Sequence, residues 1–396
     1  VRVATRPLVA AFAAAVVAGG PTAVAAEPPP DTSGAAVLVV DARTGETMHA
    51  EDAGESRPIA SATKLMTALL TLERAKLDDV FPAAPYSASP VESKINLMPG
   101  ERMTVRDLLT ALLLESANDA AVTLAEGVAG SRDAFVREMN RRAVELGLND
   151  TSYANPIGFD DPDNHSSARD LVRLTRRLLQ NREFARIVNL PMATLESGAR
   201  PRTIDNRNVL VQQYPFVSGV KTGHTLGAGY VLVGAGAAGG GRVITVTLGA
   251  PSEAARDADT LALLRWGLEQ FHRERVLRPG RPLAQVDVKY RDGDAELGAA
   301  RAVTIVVREG QRVTTELDAP DELEGSLPKG ERVGWVEVKR GGETVRRVGL
   351  VTLAEVEGAS FLRKVMRTLG TLLIVGILVG IVLLVVVAVR RRRGKG

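Results

Sequence analysis

The chain has 396 residues, 45% of them hydrophobic, with 50 Lys and Arg against 47 Asp and Glu, and a sequence pI near 9.2. That length has room for more than one domain. It has no cysteine, which excludes a disulfide framework, a thiolate nucleophile and thiolate metal sites, and its four histidines (His49, His165, His224, His272) show no ligand spacing, so no catalytic metal and no cofactor is expected.

In chain order, Arg2 and Arg6 precede an apolar run over residues 8–20, and small residues follow up to Ala26. This is the three-part layout of a secretory signal peptide over 1–26, and the run is shorter than the ~20 residues that a membrane span needs. Residues 27–34 read as a linker. Next, "AAVLVVDARTGETMHAED" predicts a β-hairpin turning at Arg43-Thr44-Gly45.

In "ASATKLMTALLTLE", residues 60–73, Ser61 and Lys64 stand three apart at the front of an apolar helical run. Positions i and i+3 share a helix face, so the two side chains can meet. Ser61 is then either a helix cap or a nucleophile with Lys64 as its base. Spacing alone does not decide, because Ser-x-x-Lys recurs at Ser218 to Lys221, where a strand begins, and at Ser326 to Lys329, which contains Pro328. Further helices are predicted behind Thr104, Ser131 and Ser167. "SAN" at Ser116 to Asn118 falls at the junction of two helical segments, and "KTG" at Lys221 to Gly223 falls on a strand.

"GAGAAG" at 234–239 matches GxGxxG. A dinucleotide site needs a helix next, and another strand follows instead, so these glycines predict a hairpin turn and no nucleotide. A helix is expected from about residue 253 to 271. Strands at both ends with helices between them predict an α+β domain over 35–272, an antiparallel sheet flanked by helices.

Residues 273–357, with short alternating runs broken by Gly, Asp and Pro, predict a small all-β domain without a reactive constellation. Residues 358–368 read as a juxtamembrane linker. Residues 369–389 carry no charge and at ~1.5 Å per residue can cross the ~30 Å hydrocarbon core. "RRRRGKG" at 390–396 marks the cytoplasmic side, so the expected topology is single-pass, with nearly all the mass on the extracytoplasmic face of the plasma membrane. Gly376 and Gly380 form a GxxxG through which a homodimer would pack. Five cations lie in 390–396 and two in 1–26; without them the formal charge of +3 becomes −4. The basicity is topogenic and no nucleic-acid partner is expected.

Ser61-x-x-Lys64, Ser116-x-Asn118 and Lys221-Thr222-Gly223, in that order, are the set found in penicillin-binding proteins and class A β-lactamases. More closely, the chain resembles the D-alanyl-D-alanine carboxypeptidases, the low-molecular-weight penicillin-binding proteins. Further likeness lies in "GVKTGHT", "NRN" at Asn206 to Asn208, "SSARD" at Ser166 to Asp170 and "ESANDAAVTLAE", and in the order of signal, catalytic domain, β domain and anchor. The resemblance runs from about Ala35 to the C-terminus. It implies a β-lactamase/DD-peptidase-like domain and a serine-type carboxypeptidase that removes the terminal D-alanine from peptidoglycan pentapeptide stems. β-Lactams would acylate the same Ser61 as substrate mimics.

A serine hydroxyl is a poor nucleophile until a base takes its proton, and a lysine is a base only when burial or a second cation destabilises its ammonium. Lys221, if it lies across the cleft from Lys64, would supply that second charge. By resemblance, the amides of Ser61 and His224 would hold the oxyanion, Ser116 would relay the proton to the leaving amine, and Asn118 would hold a substrate amide. Gly223 would leave room for a peptide against its strand. Thr222, Lys221, Arg207 and Arg256 would lie near the substrate carboxylate, which cationic groups suit. Alternatives are a DD-endopeptidase cutting crosslinks, a secreted β-lactamase, for which the β domain and span would be surplus, and a non-enzymatic wall-binding scaffold. The mark of a scaffold would be a broken Ser61, Lys64 or Lys221, and all three are intact.

Overall fold

The computed structural model describes residues 27–393; the expected signal peptide and the last three residues of the basic tail lie outside them. The chain divides into two compact units, one ending at His272 and the other beginning at Arg273.

The first unit is built on a five-stranded sheet. Its strands are β1 (Ala36–Asp41), β2 (Thr47–Glu51), β3 (Val217–Thr225), β4 (Gly229–Ala238) and β5 (Gly241–Ala250), in the order β2-β1-β5-β4-β3. Every pairing is antiparallel, and β1 at the front of the chain pairs with β5 near the end of the unit. All six residues of β1 are buried because both faces of the sheet are covered. Side chains two apart point to the same face. Ala36, Leu38 and Val40 therefore join the main core with the helices, whereas Val37 and Val39 join Leu232, Val243, Leu263 and Leu264 under the last helix.

The helices are α1 (Lys64–Arg74), α2 (Val105–Leu113), α3 (Asn118–Ala129), α4 (Arg132–Glu145), α5 (Ala168–Leu178), α6 (Arg182–Val188), α7 (Val209–Gln213) and α8 (Glu253–Glu269). Thr104, Ser131 and Ser167 each cap a helix by accepting from the N–H three residues on, as their sequence contexts predict. The hairpin turn at Arg43 and Thr44 is also present, closed by Gly45 N–H on Asp41 O at 2.7 Å.

Two readings need correction. The glycines of 234–239 do not together form a turn. Gly234 and Gly236 lie inside β4, and a Cβ on Gly234 would stand 2.7 Å from Thr245 Oγ1 and 2.8 Å from Thr260 Cγ2. They allow α8 to pack closely on the sheet, and only Gly239, with φ 62°, turns the chain. Residues 27–34 are not a free linker either: Ser33 N–H and Oγ both donate to Asp259 of α8, at 2.9 and 2.7 Å, and Trp266 Nε1 donates to Glu27 O at 2.8 Å.

The second unit is β-rich around its own core of Leu297, Val336, Val338 and Leu350. Its strands are β6 (Phe271–Leu277), β7 (Pro282–Val288), β8 (Asp294–Ala299), β9 (Val303–Arg308), β10 (Val313–Asp318), β11 (Glu322–Leu323), β12 (Arg332–Arg340) and β13 (Glu343–Thr352). Six of them form one sheet in the order β10-β12-β13-β8-β7-β11, and β6 pairs with β9. A final helix, α9 (Phe361–Arg393), contains a stretch, Phe361–Val387, long and apolar enough to cross a membrane. It starts earlier than the expected residue 369, because 361–368 contain neither Gly nor Pro to break it.

Candidate active site

Ser61 sits on a single 3-10 turn, Ala60–Thr63, that runs directly into α1. It caps neither helix: Ile59 and Thr63 hold the cap positions and neither makes a side-chain cap bond. Its Oγ instead accepts from Lys64 Nζ at 3.0 Å. One helical turn brings them together, as the i,i+3 spacing predicts.

Lys64 is fully buried, and its Nζ has two further acceptors, Asn118 Oδ1 at 2.7 Å and Ile157 O at 2.6 Å. Burial pushes its ammonium well below the usual lysine range; the charge of Lys221 adds to the shift, and those of Glu92 and Asp119 oppose it. Both carbonyl acceptors lack protons to give. A neutral Lys64 amine therefore spends its two N–H bonds on them and aims its lone pair at the hydrogen of Ser61.

Ser116 and Asn118 come from the junction of α2 and α3. Ser116 is buried in the left-handed region at φ 63°, a strained conformation for a non-glycine residue and one common at functional sites. Asn118 opens α3; its Nδ2 donates to Glu92 Oε2 at 2.9 Å, so both ends of its amide are engaged before any substrate arrives.

Lys221, Thr222 and Gly223 lie on β3, the outer strand of the sheet, which among the described residues pairs only with β4. Lys221 is buried and donates to Thr222 O at 2.9 Å. Burial, followed by the charges of Arg256 and Arg207, lowers it to about 7, with Glu115 opposing. Gly223 is required by a close approach: a Cβ there would stand 2.9 Å from Ser61 N and 3.2 Å from Ile59 O. The strand therefore presses on the turn that carries Ser61, and His224 follows with its exposed ring stacked on Tyr230, centroids 4.0 Å apart.

Arg207 and Arg256 are close enough to perturb Lys221, yet each already has a carboxylate. Arg207 Nε and Nη2 both donate to Glu115, and the buried Arg256 donates to Glu253 and Asp257 at 2.8–2.9 Å. Of the likeness segments, "SSARD" is structural: Ser167 caps α5, and buried Asp170 accepts from Asp150 N and Thr151 Oγ1 at 2.8 and 2.9 Å.

Four contributors were not singled out from the sequence. Ile157 acts through its main-chain oxygen, and Gly158, at φ 94°, lets that loop lie against the carbonyl of Ala60. Asp160 ties the same loop to the β3–β4 hairpin through Thr225 Oγ1 at 2.5 Å and Gly227 N at 2.9 Å. Glu92 comes from a loop with no motif. The signal that could have pointed to the loop of Ile157 and Asp160 is an isolated glycine between two bulky residues, Ile157-Gly158-Phe159.

Residues 22–252 match the family profile described as D-alanyl-D-alanine carboxypeptidase. The chain belongs to that family. Residues 271–358 match the C-terminal domain of penicillin-binding protein 5. Among curated relatives, the D-alanyl-D-alanine carboxypeptidase DacF of Bacillus subtilis is 30% identical over 349 residues, covering 85% of this chain and 89% of its own. DacD of Escherichia coli is 33% identical over 345 residues, covering 82% and 88%. Among solved structures, penicillin-binding protein 5 of Haemophilus influenzae superposes with TM-score 0.59 at 28% identity, covering 84% of this chain and 99% of its own. The Streptomyces K15 DD-transpeptidase gives 0.58 at 30% identity, covering 61% and 100%. As a member of that family the chain is a serine peptidase, with an α+β fold followed by a β domain and, among the described residues, one helix long and apolar enough to cross a membrane.

Proposed function

We propose that Ser61 is the nucleophile and Lys64 its general base in the removal of the terminal D-alanine from peptidoglycan stem peptides. The observation that carries this reading is the pair of carbonyl acceptors, Asn118 Oδ1 and Ile157 O, that leave the Lys64 lone pair for Ser61. As Ser61 Oγ bonds to the carbonyl carbon of the penultimate D-alanine, its proton passes to Lys64. The oxyanion so formed is held by the amides of Ser61 and His224. Collapse breaks the peptide C–N bond, and the leaving amine takes a proton by way of Ser116. Water then cleaves the Ser61 ester and restores the hydroxyl.

The buried cations Lys221 and Arg256, with Thr222 and Arg207, favour the terminal carboxylate of the substrate, and Asn118 retains one lone pair and one N–H for its backbone. The free outer edge of β3 suits an extended peptide. β-Lactams enter the same reaction and stop at the ester. The basic run behind α9 supports an anchor with its C-terminus in the cytoplasm and the two units outside.

The test is D-alanine release from a peptide ending in D-Ala-D-Ala by the full-length protein in detergent, beside Ser61→Ala. Release by the wild type, abolished in the variant together with covalent penicillin labelling, supports the reading; labelling that persists in Ser61→Ala rejects it. Cleavage of crosslinked dimers in place of release would favour the endopeptidase.

The two lysines also set a pH dependence. Catalysis needs neutral Lys64, so kcat/KM falls on the acid side as that amine protonates. Carboxylate binding needs charged Lys221, whose pKa is about 7 in the free enzyme, so KM rises as the pH climbs above that value. The incoming carboxylate raises that pKa, so substrate binding takes up protons. Initial rates across pH 5–10 should give a bell for kcat/KM; an alkaline limb carried by kcat alone would contradict the assignment of Lys221.

A further inference from the structure

Glu92 belongs to no motif and to no regular element. It lies on the loop between two short paired strands, Val80–Pro82 and Arg102–Thr104. That loop is tied to the first turn of α3: Asn118 N–H donates to Ser93 O at 2.8 Å, and Asp119 accepts from Ile95 N at 3.2 Å and Leu97 N at 3.0 Å. Glu92 Oε2 accepts from Asn118 Nδ2 at 2.9 Å and from the Tyr86 hydroxyl, and Oε1 accepts from Ser89 N at 2.7 Å. The Arg132 guanidinium lies 5.9 Å from the centre of the Tyr86 ring.

We propose that Glu92, held by Tyr86, is a positioning residue for this reaction: it fixes which way the Asn118 amide points and so keeps the lone pair of Lys64 free for Ser61. The inference rests on Lys64 being the base. The two ends of an asparagine amide have nearly the same shape, and only their partners decide the orientation. In the observed orientation Asn118 offers Lys64 an oxygen, which takes an N–H and leaves the lone pair alone. In the reverse orientation it would offer an N–H, and that N–H would occupy the one lone pair Ser61 requires. A carboxylate only accepts hydrogen bonds, so Glu92 admits Nδ2 and repels Oδ1.

Glu92 is kept ionised for this task. Its partial burial favours the neutral acid, but hydrogen bonds from Tyr86, Asn118 and Ser89 together with the charge of Lys94 outweigh it and lower the pKa. Burial and the neighbouring Glu92 raise the Tyr86 hydroxyl, so it stays protonated and donates. The charged groups acting on Lys64 are Lys221 from β3, Glu92 from this loop and Asp119 from α3. Glu92 and Asp119 favour the ammonium, and Lys221 disfavours it.

The test uses the full-length protein in detergent, comparing wild type, Glu92→Gln and Tyr86→Phe. It measures the rate of Ser61 acylation by a penicillin and the pH profile of D-alanine release. Glutamine keeps the size but can present either end to Asn118, and it removes the charge. We expect Glu92→Gln to lower kcat about tenfold, the scale of one hydrogen bond in a buried site, with KM within about twofold. Its acid limb should move to lower pH, because a charge favouring the Lys64 ammonium is gone. Tyr86→Phe, which keeps the charge, should slow acylation about threefold with the limb unmoved. Glu92→Gln acylating within twofold of wild type, or slowed equally at every pH with an unmoved limb, overturns the proposal. If Glu92→Gln does not fold, an unchanged rate in Tyr86→Phe overturns it instead. A wild type that is not acylated at Ser61 overturns the assignment of the base itself, which sets that failure apart from this one.

Discussion

Lys64→Met is expected to slow acylation of Ser61 by about 10³- to 10⁴-fold, the upper part of the range for a general base, and at the same time to change how stability depends on pH. The second effect follows from the first residue's environment. Lys64 is fully buried and its pKa lies well below 10.5 in the folded protein. In the unfolded chain it returns to the ordinary value, so unfolding between those two pKa values takes up a proton. The burden that Lys64 places on the fold is complete below the folded pKa and disappears as pH rises toward 10.5. Methionine carries no such term. It does leave Asn118 Oδ1 and Ile157 O without their donor, at a cost of about 1–3 kcal/mol each if they stay dry. The absolute melting temperature of the variant is therefore set by two opposing effects, whereas the pH dependence of the difference is set by one. Melting curves from pH 6 to 10 should show the wild type gaining on Lys64→Met as pH rises. Parallel curves would mean that Lys64 is not neutralised by folding.

Gly223→Ala should cost about 10²- to 10³-fold in kcat, the scale of a displaced oxyanion donor, without unfolding the domain. The added Cβ would stand 2.9 Å from Ser61 N, 3.1 Å from Ala60 Cβ and 3.2 Å from Ile59 O, and two of these three neighbours are backbone atoms that cannot swing aside. The turn has nowhere to retreat, because Gly158 presses the Ala60 carbonyl from the neighbouring loop and Ala60 is itself at φ 46°. The methyl would therefore displace the amide of Ser61 and the strand that carries His224 together. Gly54→Ala is the control, since its φ lies outside the left-handed region and a Cβ there would meet only the flexible Arg169 guanidinium, at 3.4 Å or more. Acylation of Gly223→Ala within tenfold of wild type would show that the oxyanion donors lie elsewhere.

What the sequence made legible was local. Ser61 and Lys64 meet because one helical turn joins them, Thr104, Ser131 and Ser167 cap because each precedes an amphipathic run, and Lys221 to Gly223 fall on one strand. The ordered trio carried the family, and the family profile agrees. The partners that decide what these residues do were not legible. Ile157 is 93 residues from Lys64 and contributes a backbone oxygen that any residue could supply. Glu92 is 26 residues from Asn118, on a loop with no period to place it. Arg207 and Arg256 were expected near the substrate carboxylate. Glu115, 92 residues from Arg207, already pairs with it, a counter-charge that only folding brings, whereas Glu253 and Asp257 beside Arg256 are its neighbours on one helix.

The pairing of β1 with β5 sets a timetable for the chain as it is made. Ribosomes deliver β1 almost first, and all six of its residues are buried in the finished sheet. Its principal neighbour is delivered some 200 residues later, and the clasp of Ser33 on Asp259 spans 226 residues. Contacts this distant in sequence form slowly, and an apolar strand waiting for its partner is a site for aggregation. Nor can a partial chain hold the two lysines together: Lys64 arrives early with α1, whereas Lys221 comes with β3, and β3 is fixed only when β4 and β5 complete the sheet. An unfinished or truncated chain thus has the serine without its paired cations, and the site comes into being with the last strands of its own domain.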